Sequence, residues 1–281
     1  MIVAGSHSQV LATALAEETG RRLAGVEFER FPDGEGIVRV DEVGESAIVV
    51  ASTVSDRAHV ELLQLQDAVR EAGATQVTTV IPYMGYARQD HAFAAGEPVS
   101  ARAMARAIST GTDRVLTVNP HESAICDYFD VPATAVDAAH RLAGPLPDDL
   151  TNPLFVAPDE GAVDAAESVA AGYGRGETDY FEKTRRSGSD VEITPSDAAV
   201  ADRDVVVVDD IVATGTTMSE SVAVLQDGDA RRVYVACVHP LLARNAYLRL
   251  TRAGVESIHG TDTLEHPVSE VSAAPAIAAE L

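Results

Sequence analysis

The stretch "DVVVVDDIVATGTTMSES", Asp204 to Ser221, carries the densest structural information in the chain. Four consecutive valines make a segment that is apolar on both faces, the pattern of a strand buried in a parallel sheet. Two adjacent carboxylates, Asp209 and Asp210, follow at its carboxyl end. The small residues Ala213 to Thr217 then lead into a helix. Ligands of open α/β sheets bind at this edge. Backbone N–H groups at a helix N-terminus, with hydroxyls beside them, form a pocket for a phosphate group. Thr214, Gly215, Thr216 and Thr217 are therefore candidate phosphate-binding residues, with Asp209 and Asp210 placed to hold sugar hydroxyls. The loop lacks the Gly-Lys-Ser/Thr ending of a Walker A motif.

The same alternation extends outward. "MIVAGS", "SAIVVAST", "QVTTVIPYM", "RVLTVNP", "PLFVAPD" and "RRVYVACV" are further apolar runs of strand length. Their continuous apolarity predicts parallel strands covered on both faces, and hence an α/β fold. Between two of them, "DRAHVELLQLQDAVREAG" reads as a helix with Val60, Leu63, Leu65 and Val69 facing inward and Gly73 as its stop. Arg141 to Pro153, "RLAGPLPDDLTNP", has no periodicity and reads as a linker or long loop. It divides the chain into halves that each hold several strand–helix alternations.

With 281 residues, 46% of them apolar, the chain can bury a substantial core as one large domain or two. Its 44 acidic residues against 21 basic ones leave a net charge of −23. The excess is spread along the chain and not gathered in a tail. A coat of carboxylates with almost no lysine is the surface expected of a protein working at high salt, where screening removes most of the self-repulsion. Such a surface argues against nucleic acid as a partner, because phosphate backbones need a basic stripe. The two cysteines, Cys126 and Cys237, lie in apolar segments and are expected to be reduced core residues. "MIVAGSHSQV" has no charged n-region, and no segment has the length of a membrane span. The expectation is a cytoplasmic protein with no membrane association.

Six further motifs follow one another in order: "FPDGEGIVRV" (Phe31 to Val40), "PYMGYARQDHAF" (Pro82 to Phe93), "GEPVSAR" (Gly96 to Arg102), "VNPHESAICDYFD" (Val118 to Asp130), "APDEGAV" (Ala157 to Val163) and "FEKTRRSG" (Phe181 to Gly188). Together with the Asp204–Ser221 loop, which resembles the phosphoribosyl diphosphate-binding motif of type I phosphoribosyltransferases, the series is similar to the ribose-phosphate diphosphokinase family and to its archaeal branch. Taken singly these motifs carry little. "FPDG" is a turn signal, Arg88 reads as a solvated residue, and His121 beside Pro120 suits an ordinary helix start.

The resemblance implies two tandem type I phosphoribosyltransferase-like domains, 1–143 and 144–281, each with a mainly parallel sheet flanked by helices. It implies transfer of the diphosphoryl group of ATP to the 1-hydroxyl of ribose 5-phosphate, with Mg²⁺, giving phosphoribosyl diphosphate and AMP for nucleotide biosynthesis. By motif position, Phe31, Asp33 and Glu35 would contact the adenine of an ATP bound mainly to a neighbouring subunit, and Arg88 and Gln89 would bind that nucleotide from their own. His121 and Asp159 would sit near the metal-bound phosphates. Asp209, Asp210 and Thr214 to Thr217 would hold ribose 5-phosphate. A homo-oligomer, a dimer or one built from dimers, would share the ATP site.

Lys183 is the single lysine of the chain. Phosphoryl transfer depends on positioning and on cationic stabilisation of the transition state. A compact ammonium on a flexible stem suits one reacting centre better than a planar guanidinium does. Lys183 and Arg185 match the pair on the family's mobile catalytic loop, and "RRSGSD" has the glycine and serines of a loop that opens and closes. Several positions depart from the family. His91-Ala92 follows "ARQD" where many bacterial relatives carry basic residues, and Ala162 and Asp164 replace a glycine and a basic residue. Asn119 replaces an aspartate in "VNPHE". Two other readings share the fold. A phosphoribosyltransferase that consumes phosphoribosyl diphosphate would lack the second domain and the "FPDGE" and "ARQD" elements. A non-catalytic homologue would have lost Lys183 or the Asp-Asp pair.

Overall fold

The computed structural model describes residues 1–187, 190–195 and 199–281, with side chains outside 182–198. The chain divides into two compact units: 1–137 with 262–265 and 272–281, and 138–261 with 266–271.

In the first unit, β1 (Ile2–Ala4) is followed by α1 (Gln9–Thr19), the hairpin β2 (Val26–Arg30) and β3 (Gly36–Val40), β4 (Ser46–Val50), α2 (Asp56–Glu71), β5 (Gln76–Ile81), α3 (Ser100–Ser109), β6 (Arg114–Val118) and β7 (Ala133–Val136). The sheet order is β1-β4-β5-β6-β7, and every pairing is parallel. Ser55 starts α2 by accepting a hydrogen bond from the Ala58 N–H at 3.2 Å, and Gly73, at φ +106°, ends it. Its buried stripe is Ala58, Leu62, Leu65 and Val69. Val60, expected to face inward, is 54% exposed, and Leu63 is only partly buried. The true stripe keeps the i, i+4, i+7, i+11 spacing, and Val60 lies off it.

The second unit contains β8 (Leu154–Ala157), α4 (Val163–Tyr173), β9 (Glu177–Ser187), β10 (Asp190–Pro195), β11 (Asp204–Ile211), α5 (Thr216–Asp227), β12 (Arg232–His239), α6 (Ala246–Arg252), β13 (Ile258–Thr261) and β14 (Ser269–Val271). The order is β10-β9-β8-β11-β12-β13-β14, parallel except where β10 runs antiparallel to β9. From β8 the chain passes to β9 on one side and returns to β11 on the other. The strand order therefore reverses between β8 and β11, which makes a topological switch point. Val205 to Val208 are wholly buried in β11, each worth about 1.5–3 kcal/mol of apolar burial. The final helix, α7 (Ala274–Ala278), packs on α1 in the first unit.

The stretch read as a linker is part of the second unit. Leu142, Leu146 and Leu150 are buried, and Ala139–Ala143 forms a short 3₁₀ turn packed on α4. The Tyr173 hydroxyl donates to the Pro147 carbonyl at 2.5 Å, and Arg175 Nη2 donates to that of Asp148 at 3.0 Å. The contacts thus change allegiance at Asp137/Ala138, six residues before the boundary drawn from sequence, and the last ten residues join the first unit. Lys183 and Arg185 were expected on a loop. Their backbone lies in β9, opposite Ile193 and Val191 of β10, and their side chains lie outside the described residues, as do Gly188 and Ser189. Among the described residues no helix is long and apolar enough to cross a membrane. Cys237 is buried, Cys126 is half-buried, and both are free thiols.

At the amino end of β11, Asp204 is fully buried and accepts from Arg232 Nε at 2.9 Å, from Arg232 Nη2 at 2.6 Å and from the Thr151 N–H at 2.6 Å. Burial pushes its carboxyl up, but the Arg232 hydrogen bonds, the Thr151 amide and the charge of Arg231 outweigh it, and the net value lies below the ordinary one. Asp204→Ala should destabilise the protein by about 3 kcal/mol near neutral pH in urea unfolding, since it strands a partly buried guanidinium. The folded-state value is the lower one, so this contribution is complete above about pH 4 and fades as pH falls through the folded value. The gap between parent and variant should narrow in acid; a gap independent of pH would contradict the assignment.

Candidate active site

In the second unit the site forms where the strand order reverses. Asp159 follows β8, and Asp209 and Asp210 end β11, so the topology brings three carboxylates to one edge of the sheet. The Asp210 N–H donates to Asp209 Oδ1 at 2.9 Å. Burial, then the neighbouring carboxylate of Asp210 and more weakly that of Asp159, hold the Asp209 carboxyl well above the usual carboxylate range. Such crowding is relieved by a cation or by hydroxyl donors. Burial, with the Asp209 charge, also pushes the adjacent Cys237 thiol far up, which leaves it unreactive.

The loop then turns sharply into α5. Gly215, its N-cap, stands at φ +69°, where a side chain is strained, and a Cβ there would lie 3.4 Å from Cβ of Ala246 on α6. Thr214, Thr216 and Thr217 are exposed. The Thr214 and Thr216 hydroxyl oxygens lie 3.3 Å apart, and Arg249 Nη1 of α6 donates to Thr216 Oγ1 at 2.6 Å. Hydroxyls and the unsatisfied N–H groups of a first helical turn make a donor-rich concavity suited to a phosphate. Sequence reading did not find Arg249, which lies 33 residues from Thr216 with no motif connecting them.

The first unit carries the other expected residues on three separate elements. Phe31, Asp33 and Glu35 form the tip of the β2–β3 hairpin. There the Phe31 N–H donates to the Glu35 carbonyl at 2.8 Å, the Glu35 N–H donates to Asp33 Oδ1 at 3.0 Å, and Gly34 stands at φ +95°. Asp33 therefore serves the turn, while the Phe31 ring, 38% exposed, is presented to solvent. After β5, Gly85 packs so tightly that a Cβ would fall 2.1 Å from the Thr53 carbonyl oxygen. Tyr86 takes φ +65° and hydrogen-bonds to Asp56. This turn leaves Arg88 exposed, while Gln89 Oε1 accepts from Ser100 Oγ at 2.8 Å at the start of α3. No hydrogen bond or ion pair among the described residues joins the hairpin tip to Arg88 or Gln89.

His121 is exposed beyond the carboxyl end of β6, two residues ahead of a short 3₁₀ turn over Ser123–Tyr128 and not at an α-helix start. Asn119, the departure noted in "VNPHE", stands at φ +33° and donates through Nδ2 to Asp137 Oδ1 at 2.8 Å. Among the described residues no group of three His, Cys, Asp or Glu side chains could hold a metal ion. Asp159, after β8, offers the kind of oxygen donor a hard cation takes, with the remaining ligands drawn from water and phosphate.

Because Gly215 holds the left-handed cap at φ +69°, which side chains rarely adopt, Gly215→Ala should cost about 1–2 kcal/mol. A fall in thermal midpoint checks this, and an unchanged midpoint would mean the cap adapts freely.

Comparison with known proteins agrees with this geometry. Residues 1–111 match the family model described as the N-terminal domain of ribose phosphate pyrophosphokinase, and residues 128–270 match the phosphoribosyl transferase domain. A ribose-phosphate pyrophosphokinase of Halobacterium salinarum is 63% identical over 280 residues, covering 99% of both chains. One of Methanosarcina mazei is 47% identical, covering 100% of this chain and 94% of its own. The crystal structure of phosphoribosylpyrophosphate synthetase from Mycobacterium smegmatis superposes with a TM-score of 0.84 at 28% identity, covering 100% of this chain and 96% of that one. A stand-alone phosphoribosyltransferase would leave the match over 1–111 without explanation. With two domain models in tandem and relatives aligned from end to end, the chain belongs to the ribose-phosphate pyrophosphokinase family.

Proposed function

We propose that the chain transfers the diphosphoryl group of ATP to ribose 5-phosphate. The observation that carries this reading is the pairing, at one switch point, of the Asp209–Asp210 carboxylates with the Gly215-capped α5 N-terminus, in a chain of this family. The 1-hydroxyl oxygen of the sugar attacks the β-phosphorus of ATP, the α–β bridging bond breaks, AMP leaves, and the hydroxyl proton is lost. Thr214 to Thr217 hold the 5-phosphate through amides and hydroxyls. Asp209 and Asp210 accept from the ring hydroxyls and orient the 1-hydroxyl. Lys183 and Arg185 bring positive charge to the transferring group, Lys183 as a point charge. Phe31, Asp33, Glu35, Arg88 and Gln89 serve the adenine nucleotide, with the hairpin tip acting on a neighbouring subunit of a homo-oligomer.

Mg²⁺ is the cofactor of this reading: Asp159 would hold it, His121 would serve the nucleotide's phosphates, and the ion would supply positive charge to the transferring group. The tandem domains divide the work, with nucleotide motifs in the first and the sugar-phosphate loop in the second. The even acidity of the surface suits a cytoplasm of high salt.

Incubation with ATP, Mg²⁺ and ribose 5-phosphate should yield AMP and phosphoribosyl diphosphate one to one. Phosphate release without the sugar product would sink the reading. Lys183→Ala should lower kcat by about 10²-fold or more with ribose 5-phosphate binding kept, and Lys183→Arg, which keeps charge and changes shape, should recover only part. Near-parental turnover in the alanine variant would remove the residue from the mechanism. Thermal midpoints should rise from dilute buffer to molar KCl, where screening shortens to about 3 Å; a fall would end the high-salt assignment.

A further inference from the structure

We infer that Arg249 is a specificity-determining residue of the acceptor site, engaging the 5-phosphate of ribose 5-phosphate together with the Thr214–Thr217 loop. This rests on the reading that the loop holds a sugar phosphate.

The guanidinium reaches the first turn of α5 because α6 packs beside Gly215. Ala246 and Leu250 of α6 are the neighbours a Gly215 Cβ would meet, at 3.4 Å and 3.5 Å. From that platform Arg249 Nη1 donates to Thr216 Oγ1 at 2.6 Å. Arginine has no acceptor, so the Thr216 oxygen is the acceptor of this bond and its own proton remains to be donated. Thr214 Oγ1 lies 3.3 Å away and extends the relay. Guanidinium, one hydroxyl proton of the Thr214–Thr216 pair and the free N–H groups of the first turn thus converge as donors.

A cation beside a helix N-terminus opposes the macrodipole, so this placement is unfavourable until an anion arrives. Arg249 is half-buried, and no carboxylate among the described residues is within ion-pair distance of it, although acidic residues outnumber basic ones by 44 to 21. Arg203, Arg231 and Arg232 of the same unit have an acidic partner, whereas Arg175, Arg244 and Arg252, like Arg249, have none among the described residues. A dianionic phosphate completes the site and reverses the sign of its electrostatics. A sugar lacking the 5-phosphate cannot do so, which makes Arg249 a discriminator between phosphorylated and free pentose.

The test compares parent, Arg249→Ala and Arg249→Lys by steady-state kinetics and calorimetric titration with ribose 5-phosphate and with ribose. Arg249→Ala should raise KM for ribose 5-phosphate about tenfold to hundredfold, the loss of one charge-assisted hydrogen bond. KM for ATP and turnover at saturating acceptor should hold, and the preference for ribose 5-phosphate over ribose should shrink by the same factor. Arg249→Lys should recover part of the affinity. If Arg249→Ala does not fold, Arg249→Gln makes the same comparison. An unchanged acceptor KM, or equal losses toward both substrates with a lowered thermal midpoint, would reduce Arg249 to a helix–helix tie. A parent that binds no ribose 5-phosphate would overturn the acceptor-site reading and this inference together; a parent that binds it while Arg249→Ala binds it equally would overturn this inference alone.

Discussion

Negative charge crowded at one end of a rigid strand is the constraint on which the second unit depends. β11 carries an aspartate at each end, and the two are treated oppositely. Asp204 at the amino end is clasped by Arg232 and sits below its ordinary value; Asp209 at the carboxyl end faces Asp210 and Asp159 and sits well above it. The four valines between them are wholly buried, with β8 and β12 as neighbours, so the strand cannot shift to separate the carboxylates. One end is thereby neutralised as scaffold, and at the other Asp209 stays crowded against like charge. Groups held in unfavourable electrostatic settings are concentrated at functional sites.

Within ten residues the same loop supplies the opposite requirement. Past Gly215, the exposed threonines, the first turn of α5 and the Arg249 guanidinium gather hydrogen-bond donors, with no carboxylate in ion-pair distance of Arg249 among the described residues. A molecule carrying hydroxyls at one end and a phosphate at the other satisfies both poles, which a plain anion or a plain polyol does not. Sugar phosphates have this polarity, so the electrostatics of the loop constrain its ligand class.

The first unit uses its backbone differently. Its parallel strands follow sequence order across the sheet, with no reversal and hence no switch-point crevice. Its candidate residues instead sit on projections: a hairpin tip closed by Asp33 and Gly34, and a turn after β5 wedged by Gly85 and by Tyr86 at positive φ. Such projections present their residues to solvent rather than to the core.

What the sequence by itself determined was what local pattern and motif carry. The buried strands showed as valine-rich runs, the helix stop as Gly73, and the loop into α5 as two carboxylates, small residues and Gly215. The order of motifs was enough for the family. What only the tertiary structure decided depends on chain crossings. Leu142, Leu146 and Leu150 looked like part of a linker because proline and aspartate surround them, yet packing against α4 buries them. Val60 and Leu62 are equally apolar, and only the position of the sheet selects which one faces it. The meeting of Asp159 with Asp209, and of Arg249 with Thr216, has no local signal. Each pair is separated by whole strands and helices, and the energy that settles where these land comes from burying whole faces of sheet and helix, not from the few residues that later form the site.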